Sequence, residues 1–315
     1  MTGISIGVVR RPNEADVATI RSLAEAAERA DGVAPLPEQV LLHLKHSGDL
    51  KHSGDADAWH FVARRLAEPD KASELIGYAF LDKSNPEEGP AAEIVVAPEA
   101  RRQGVGGALL DALRMKVRRD DKPVRVWAHG ALPAAAALAA KRGLKPVREL
   151  WVMARPLAEV PPAVPAEGIR IAAFRPGVDD EAWAAVNSRA FAHHPEQGSM
   201  TVEDLRERMA EPWFDPEGFF LAWRGEKLAG FHWTKVHDHS AYGDGPVGEV
   251  YVVGLEPDEQ GHGLGRTLTQ VGLQYLHDRG LGEVILYVEA DNAPAVAVYT
   301  KLGFTRRSAD IMYQM

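Results

Sequence analysis

Cysteine is absent from all 315 residues. Without a thiol the chain can form no disulfide, no thiolate zinc site and no cysteine nucleophile, and the absence fits a reducing compartment. Long apolar runs are missing too. No stretch approaches the ~18–20 consecutive apolar residues of a membrane span. The N-terminal MTGISIGVVRRPNEADV has neither an apolar signal core nor a small-residue cleavage site. Basic charge is in deficit, with 36 Lys and Arg against 45 Asp and Glu and a formal net charge of −9. Nucleic acid and anionic membrane are therefore disfavoured as partners, because phosphate neutralisation needs clustered cations. These exclusions leave a cytoplasmic protein, expected as a monomer, long enough for about two domains of ~150 residues.

What is present divides the chain into halves. Pro156, Pro161, Pro162 and Pro165 fall within ten residues, which forbids a continuous helix and disfavours a central strand. The expected organisation is an N-terminal domain over 1–155, a Pro-rich linker over 156–168 and a C-terminal domain over 169–315. The tandem LKHSGD between Leu44 and Asp55 reads as a small duplication in an exposed loop, not a metal site.

A longer repeat joins the halves. AEIVVAPEARRQGVGG (92–107) corresponds to GEVYVVGLEPDEQGHGLGR (248–266), VRVWAHG to VILYVEA, and KRGL to KLGF. Glu93 and Glu249 lie 156 apart, and Gly104 and Gly263 lie 159 apart. Each copy alternates strand and helix patterns. Glu249–Leu255 reads as a strand; Leu264, Leu268, Val271 and Tyr275 recur at helical spacing; Val284–Val288 is another strand and Ala293–Leu302 another helix. The expected fold is α/β, an α+β mixed sheet with helices on its faces, present twice.

Between strand and helix each copy carries [Q/R]-x-x-G-x-G. Glycine lets backbone N–H groups approach an anion closely, and the following helix N-terminus attracts a pyrophosphate. Arg101 and Arg102 add charge to the first turn. The dinucleotide fingerprint G-x-G-x-x-G and the P-loop lysine are absent from both turns.

With these residues in view, both halves resemble GNAT acetyltransferase domains. The resemblance implies that acetyl-CoA, as co-substrate, is held by Val253, Gly254 and Leu255 and by Gln260, Gly261, His262, Gly263, Leu264, Gly265 and Arg266. It adds Asn292, Ala293, Pro294, Ala295, Val296 and Ala297 at the next helix. In the first half the same role falls on Ile94, Val95 and Val96 and on Arg102, Gln103, Gly104, Val105, Gly106 and Gly107. DGVAPLPEQV, WAHG, HPEQG, WFDP, GFHWTKVH and LYVEADNAPAVAVYTKLGF, in order over both halves, narrow the resemblance to tandem GNAT enzymes. The resemblance implies acetyl transfer from acetyl-CoA to the cysteinyl amine of desacetylmycothiol, a cysteine–glucosamine–inositol conjugate, in the last step of mycothiol biosynthesis.

Acetyl transfer to an amine needs a base, a polarised carbonyl and a proton for the departing thiolate. Glu249 fits the base. Tyr299 matches the tyrosine that GNAT enzymes place beside the CoA sulfur as general acid. By the repeat offset Tyr299 corresponds to Ala139, so the C-terminal half is expected to be catalytic and the N-terminal half not. Glu93 survives in the first half, where it is expected as an exposed strand-end carboxylate. By motif match, Glu38, Glu196, Lys235, Glu249 and Tyr287 are the substrate-binding candidates, and the use of Glu38 would imply a cleft shared between domains. His193, His194, His232, His237 and His239 are dense, but acetyl transfer needs no metal and none is expected. The competing readings are an N-acetyltransferase for another small amine and a non-catalytic acetyl-CoA-binding regulator.

Overall fold

The computed structural model describes residues 3–46, 57–66, 73–165, 167–192, 197–238 and 245–315. The chain forms two compact units, Met1–Leu150 with Ser308–Met315, and Trp151–Arg307.

The first unit begins with β1 (Ile4–Val9), α1 (Glu14–Asp31) and α2 (Glu38–His46). The Asn13 side chain caps α1 by accepting from the Asp16 N–H at 2.9 Å, and left-handed Gly32 ends it. Ile20, Leu23, Ala24 and Ala27 recur at helical spacing and are buried against the sheet. There follow β2 (Ala58–Arg65), β3 (Glu74–Asp82), β4 (Ala91–Val96), α3 (Val105–Lys116), β5 (Arg125–Ala128), α4 (Pro133–Arg142) and β6 (Lys145–Pro156), which passes into the second unit at Trp151. The second unit repeats the order with β7 (Ile169–Ala173), α5 (Asp180–Ala190), α6 (Val202–Met209), β8 (Phe219–Arg224), β9 (Lys227–His237), β10 (Val247–Leu255), α7 (Leu264–Asp278), β11 (Glu283–Glu289), α8 (Ala293–Lys301) and β12 (Thr305–Gln314).

In the first unit the strand order is β1-β2-β3-β4-β5-β12, and in the second β6-β11-β10-β9-β8-β7. β1–β2, β2–β3, β3–β4, β5–β12, β7–β8, β8–β9 and β9–β10 pair antiparallel, whereas β4–β5 and β10–β11 are parallel. The sheets are mixed, with helices on their faces.

Two details depart from the sequence-based organisation. The last strand closes the first unit's sheet: Ile311–Gln314 pair with Ala128–Arg125 of β5. An apolar pattern shows that a strand exists but does not name its neighbour. The Pro-rich segment belongs to the second unit instead of standing between the halves. Leu157 is buried and its N–H donates to the Gly282 carbonyl at 2.9 Å. Proline offers carbonyls but no N–H, and α7 supplies donors: Thr267 Oγ1 to the Val164 carbonyl at 3.4 Å and Gln270 Nε2 to that of Pro161 at 3.5 Å.

Candidate active site

The site of the second unit starts from an interruption in its sheet. β10 and β11 are partners at Gly248–Val284, Glu249–Ile285 and Val250–Leu286. No further pair joins them, although β10 runs on to Leu255 and β11 to Glu289. A gap therefore opens between two strands that began as neighbours.

β10 also slips by one residue against β9 between Val250 and Val252. The packing shows the bulge independently. Val250 lies in the cluster with Leu273 and Leu276 of α7, whereas both Tyr251 and Val252 join the cluster of α5 residues Trp183 and Val186. Val253 returns to the α7 side. Two consecutive residues on one face break the alternation of the ladder at the gap.

The two faces carry different chemistry. On the α5 side Glu249 is in register with Lys235 of β9, and both are buried, at 6% and 8% exposure. The His237 ring, two residues beyond Lys235, lies with Nε2 2.6 Å from Glu249 Oε2. The Lys235 ammonium sits 4.3 Å from the Trp213 ring centroid and 5.2 Å from that of Tyr251, a cation–π contact that offsets part of its desolvation. Arg208 Nε donates to the Tyr251 hydroxyl at 3.3 Å. Alternation from Ile285 puts Tyr287 and Glu289 of β11 on this face, and Tyr287 is 42% exposed.

Tyr299 lies on the other side. It packs against the cluster that holds Val250, Leu286 and Val288, with its ring edge-on to Phe304 at 5.8 Å. Burial pushes its hydroxyl up to about 12, so the phenol holds its proton throughout the neutral range. A carboxylate on one face and a protonated phenol on the other flank the strands that part.

The turn after β10 supplies a cradle. Gly261 and Gly263 are left-handed, at φ 80° and 85°, and a Cβ on either would have nothing within 4 Å. Gly263 caps α7 without a side-chain hydrogen bond, so the helix's first N–H groups are free of a side-chain cap. An open, uncapped helix N-terminus of this kind suits a pyrophosphate. Beside it, an open groove of about 670 Å³ is lined by Arg155, Arg266, His277 and Lys301 together with Glu159. Asn292 caps α8 by accepting from the Ala295 N–H at 3.2 Å. Ala295 and Val296 pack inward, whereas Ala293, Pro294 and Ala297 are exposed.

Comparison with known proteins gives this arrangement a family. Residues 185–304 match the Acetyltransferase (GNAT) family, and residues 57–143 match an Acetyltransferase (GNAT) domain. A mycothiol acetyltransferase of Catenulispora acidiphila is 86% identical over 100% of both chains. One of Thermobispora bispora is 51% identical over 99% of this chain and 100% of its own. The chain belongs to the GNAT acetyltransferase family, among its mycothiol acetyltransferases. The fold agrees with solved structures. A tandem GNAT protein from the clavulanic acid biosynthesis pathway superposes with TM-score 0.69 at 20% identity, covering 99% of this chain and 98% of that one. A GCN5-related N-acetyltransferase from Sphaerobacter thermophilus gives 0.64 at 24%, covering 98% and 95%.

Both GNAT units have the same turn but not the same centre. Gly104 caps α3 at φ 90°, again without a side-chain bond and with open space around it. Arg102 adopts the left-handed conformation that Gly261 takes in the second unit. Arg101 is already engaged: its guanidinium grips Asp31 with two bonds of 2.7 Å. Gly107 lies under Arg142, whose guanidinium pairs with Asp111 at 2.8 Å.

The register corrects the sequence match between Glu93 and Glu249. Gly77 pairs with Val96 as Gly230 pairs with Leu255, and counting back from that end places Ala91, not Glu93, opposite Asp82 as Glu249 is opposite Lys235. The parallel partners agree, since Ala91 faces Arg125 and Glu249 faces Ile285. β4 pairs with β3 without a bulge. Nor is Glu93 an exposed strand end. It is 6% exposed and accepts from His129 Nε2 at 2.9 Å, while His129 Nδ1 meets Asp310 at 2.9 Å. Burial alone would depress the imidazole, but the two carboxylates outweigh it and hold His129 up to about 10. Asp310 also accepts from the Gly130 N–H at 2.8 Å. At the position of Tyr299 the first unit has Ala139, identified by the same capping bond, Leu144 N–H to Ala139 carbonyl and Phe304 N–H to Tyr299 carbonyl, each 3.0 Å.

Of the sequence-derived substrate candidates, Lys235, Glu249 and Tyr287 share one face of the second sheet. Glu38 opens α2 of the first unit. Glu196, like His193, His194 and His239, lies outside the described residues, as does most of the LKHSGD repeat. His232 is buried on the α7 face of β9 and bonded to the Leu268 carbonyl at 2.8 Å, and burial drives its ring down to about 4. Among the described residues no group of three or more His, Asp or Glu is arranged to hold a metal, and no helix is long and apolar enough to cross a membrane. The bulge and the aromatic walls around Lys235 were not read from sequence; the only trace of the first is the run YVVGL, too uniformly apolar to alternate.

Proposed function

We propose that the enzyme transfers acetyl from acetyl-CoA to the cysteinyl amine of desacetylmycothiol, the last step of mycothiol biosynthesis, in the cytoplasm. The observation that carries this reading is the buried Glu249–Lys235 pair beside the strand gap, with Tyr299 on the opposite face. The printed name of relatives at 86% and 51% identity supports the acceptor.

In this mechanism Gly261, Gly263 and the first N–H groups of α7 hold the pyrophosphate, with Arg266 and the cationic groove serving the phosphorylated end of the cofactor. Val253, Gly254 and Leu255 line the pantetheine arm. Glu249 takes a proton from the acceptor, directly or through a water. An α-amino group titrates near 7.7–8.0 in reference peptides, so modest assistance suffices. The free amine attacks the thioester carbon; a C–N bond forms and the C–S bond breaks. A backbone N–H of β10 beside the gap stabilises the carbonyl oxygen as it gains charge; Tyr299 donates its proton to the leaving thiolate, and the surplus proton of the new amide nitrogen passes to the Tyr299 oxygen. The acceptor binds through Lys235, which donates to an oxygen, and through Tyr287, with Glu196 assigned by motif. The first unit, with Ala91 and Ala139 at the corresponding positions, holds acetyl-CoA without turning it over.

The test is CoA release by the purified protein with acetyl-CoA and a panel of amines. Desacetylmycothiol is expected to give the highest kcat/KM. A higher value for an aminoglycoside or a peptide N-terminus would replace the proposed acceptor.

A further inference from the structure

His237 has no role in the mechanism above, yet it is the hydrogen-bond partner of the base. Glu249 and His237 lie on the same face, two residues apart in register across the β9–β10 ladder, with His237 Nε2 2.6 Å from Glu249 Oε2. Their exposures differ: the glutamate side chain is 8% accessible and the histidine side chain 31%. An ionised carboxylate only accepts, so Nε2 must carry the hydrogen.

We infer that His237 is a positioning residue for Glu249. Its Nε2–H fixes one carboxylate oxygen and leaves the other, Oε1, to the acceptor amine. The inference rests on Glu249 as the base of the proposed reaction. A carboxylate with one oxygen tethered has lost most of its rotational freedom before the amine arrives, and a base must lie within hydrogen-bond reach of the proton it takes.

The experiment measures CoA release for the wild type, His237→Ala, His237→Gln and Glu249→Gln, with melting curves and acetyl-CoA affinity for each. His237→Ala should lower kcat on the order of 10- to 100-fold, a part of the 10²–10⁴-fold that a general base contributes, with acetyl-CoA affinity unchanged. His237→Gln keeps an N–H donor and should recover most of that loss. Wild-type kcat in His237→Ala would overturn the inference. So would equal losses in both variants accompanied by lower Tm. Glu249→Gln separates the two levels: wild-type turnover there removes the base assignment itself, whatever His237 does.

Discussion

Ala91 of the first unit stands where Glu249 stands in the second. Each is the parallel partner of the β5 or β11 strand at the same step, and each faces the same position of the antiparallel neighbour. The first unit thus lacks a carboxylate where the proposed base stands, as well as a hydroxyl where the proposed acid stands, and Glu93 falls one pleat further along, where His129 closes on it.

The Glu93–His129–Asp310 cluster should be a stability element. Its imidazole is held at about 10, against 6.5 for an unperturbed ring. The folded chain therefore binds more protons than the unfolded chain between those values, so the contribution is full below about 6.5 and lost as pH rises through 10. Replacing His129 with Ala strands two buried carboxylates and should cost about 3–5 kcal/mol. Thermal melts against pH should show a decline on the alkaline side in the wild type that is flattened in His129→Gln.

Tyr299 gives a prediction of opposite kind. A phenol held at about 12 by burial stays protonated as pH rises, so the acid should cause no loss of kcat at mildly alkaline pH. Tyr299→Phe should lower kcat about 10²-fold or more, the lower end of general acid catalysis, with little change in acetyl-CoA KM. An alkaline limb well below 12 that vanishes in Tyr299→Phe would contradict this.

The cofactor turn can be probed with a matched control. Gly263 and Gly280 both have left-handed backbones, at φ 85° and 80°, and both face open space. Alanine at either carries the same backbone penalty of roughly 1 kcal/mol. Only Gly263→Ala puts a methyl into the α7 cradle. Calorimetric titration should show weakened acetyl-CoA binding for Gly263→Ala and wild-type affinity for Gly280→Ala.

Gly272 of α7 tests the packing beneath the site. A Cβ there would overlap the His232 ring and approach Thr234 Cγ2 at 2.9 Å. His232 cannot yield without losing its bond to the Leu268 carbonyl. Gly272→Ala should lower stability by about 1–3 kcal/mol, as overpacking does, measured by denaturant unfolding.

Much of this architecture was legible in the sequence, and the unread parts have a common cause. The GxG turns, the helix of Tyr299 and the strand of Glu249 follow from local spacing, and the structure has each in its expected element. Pairing partners do not. That Ile311–Gln314 pair with β5, that Arg101 grips Asp31, and that Glu93 meets His129 are long-range choices with no local signature. The apparent match of Glu93 with Glu249 was misleading because β10 has three more residues than β4 between its glutamate and the next proline, eight steps against five. One of the three is taken up in a bulge that strand periodicity cannot show.

The most direct measurement is the kcat for CoA release with desacetylmycothiol in Glu249→Gln and Glu93→Gln side by side. Glu249→Gln is predicted to lose on the order of 10²–10⁴-fold in kcat while binding acetyl-CoA normally. Glu93→Gln is predicted to keep wild-type kcat and to melt at a lower temperature. Full turnover in Glu249→Gln, with loss in Glu93→Gln, would contradict the assignment of catalysis to the second unit.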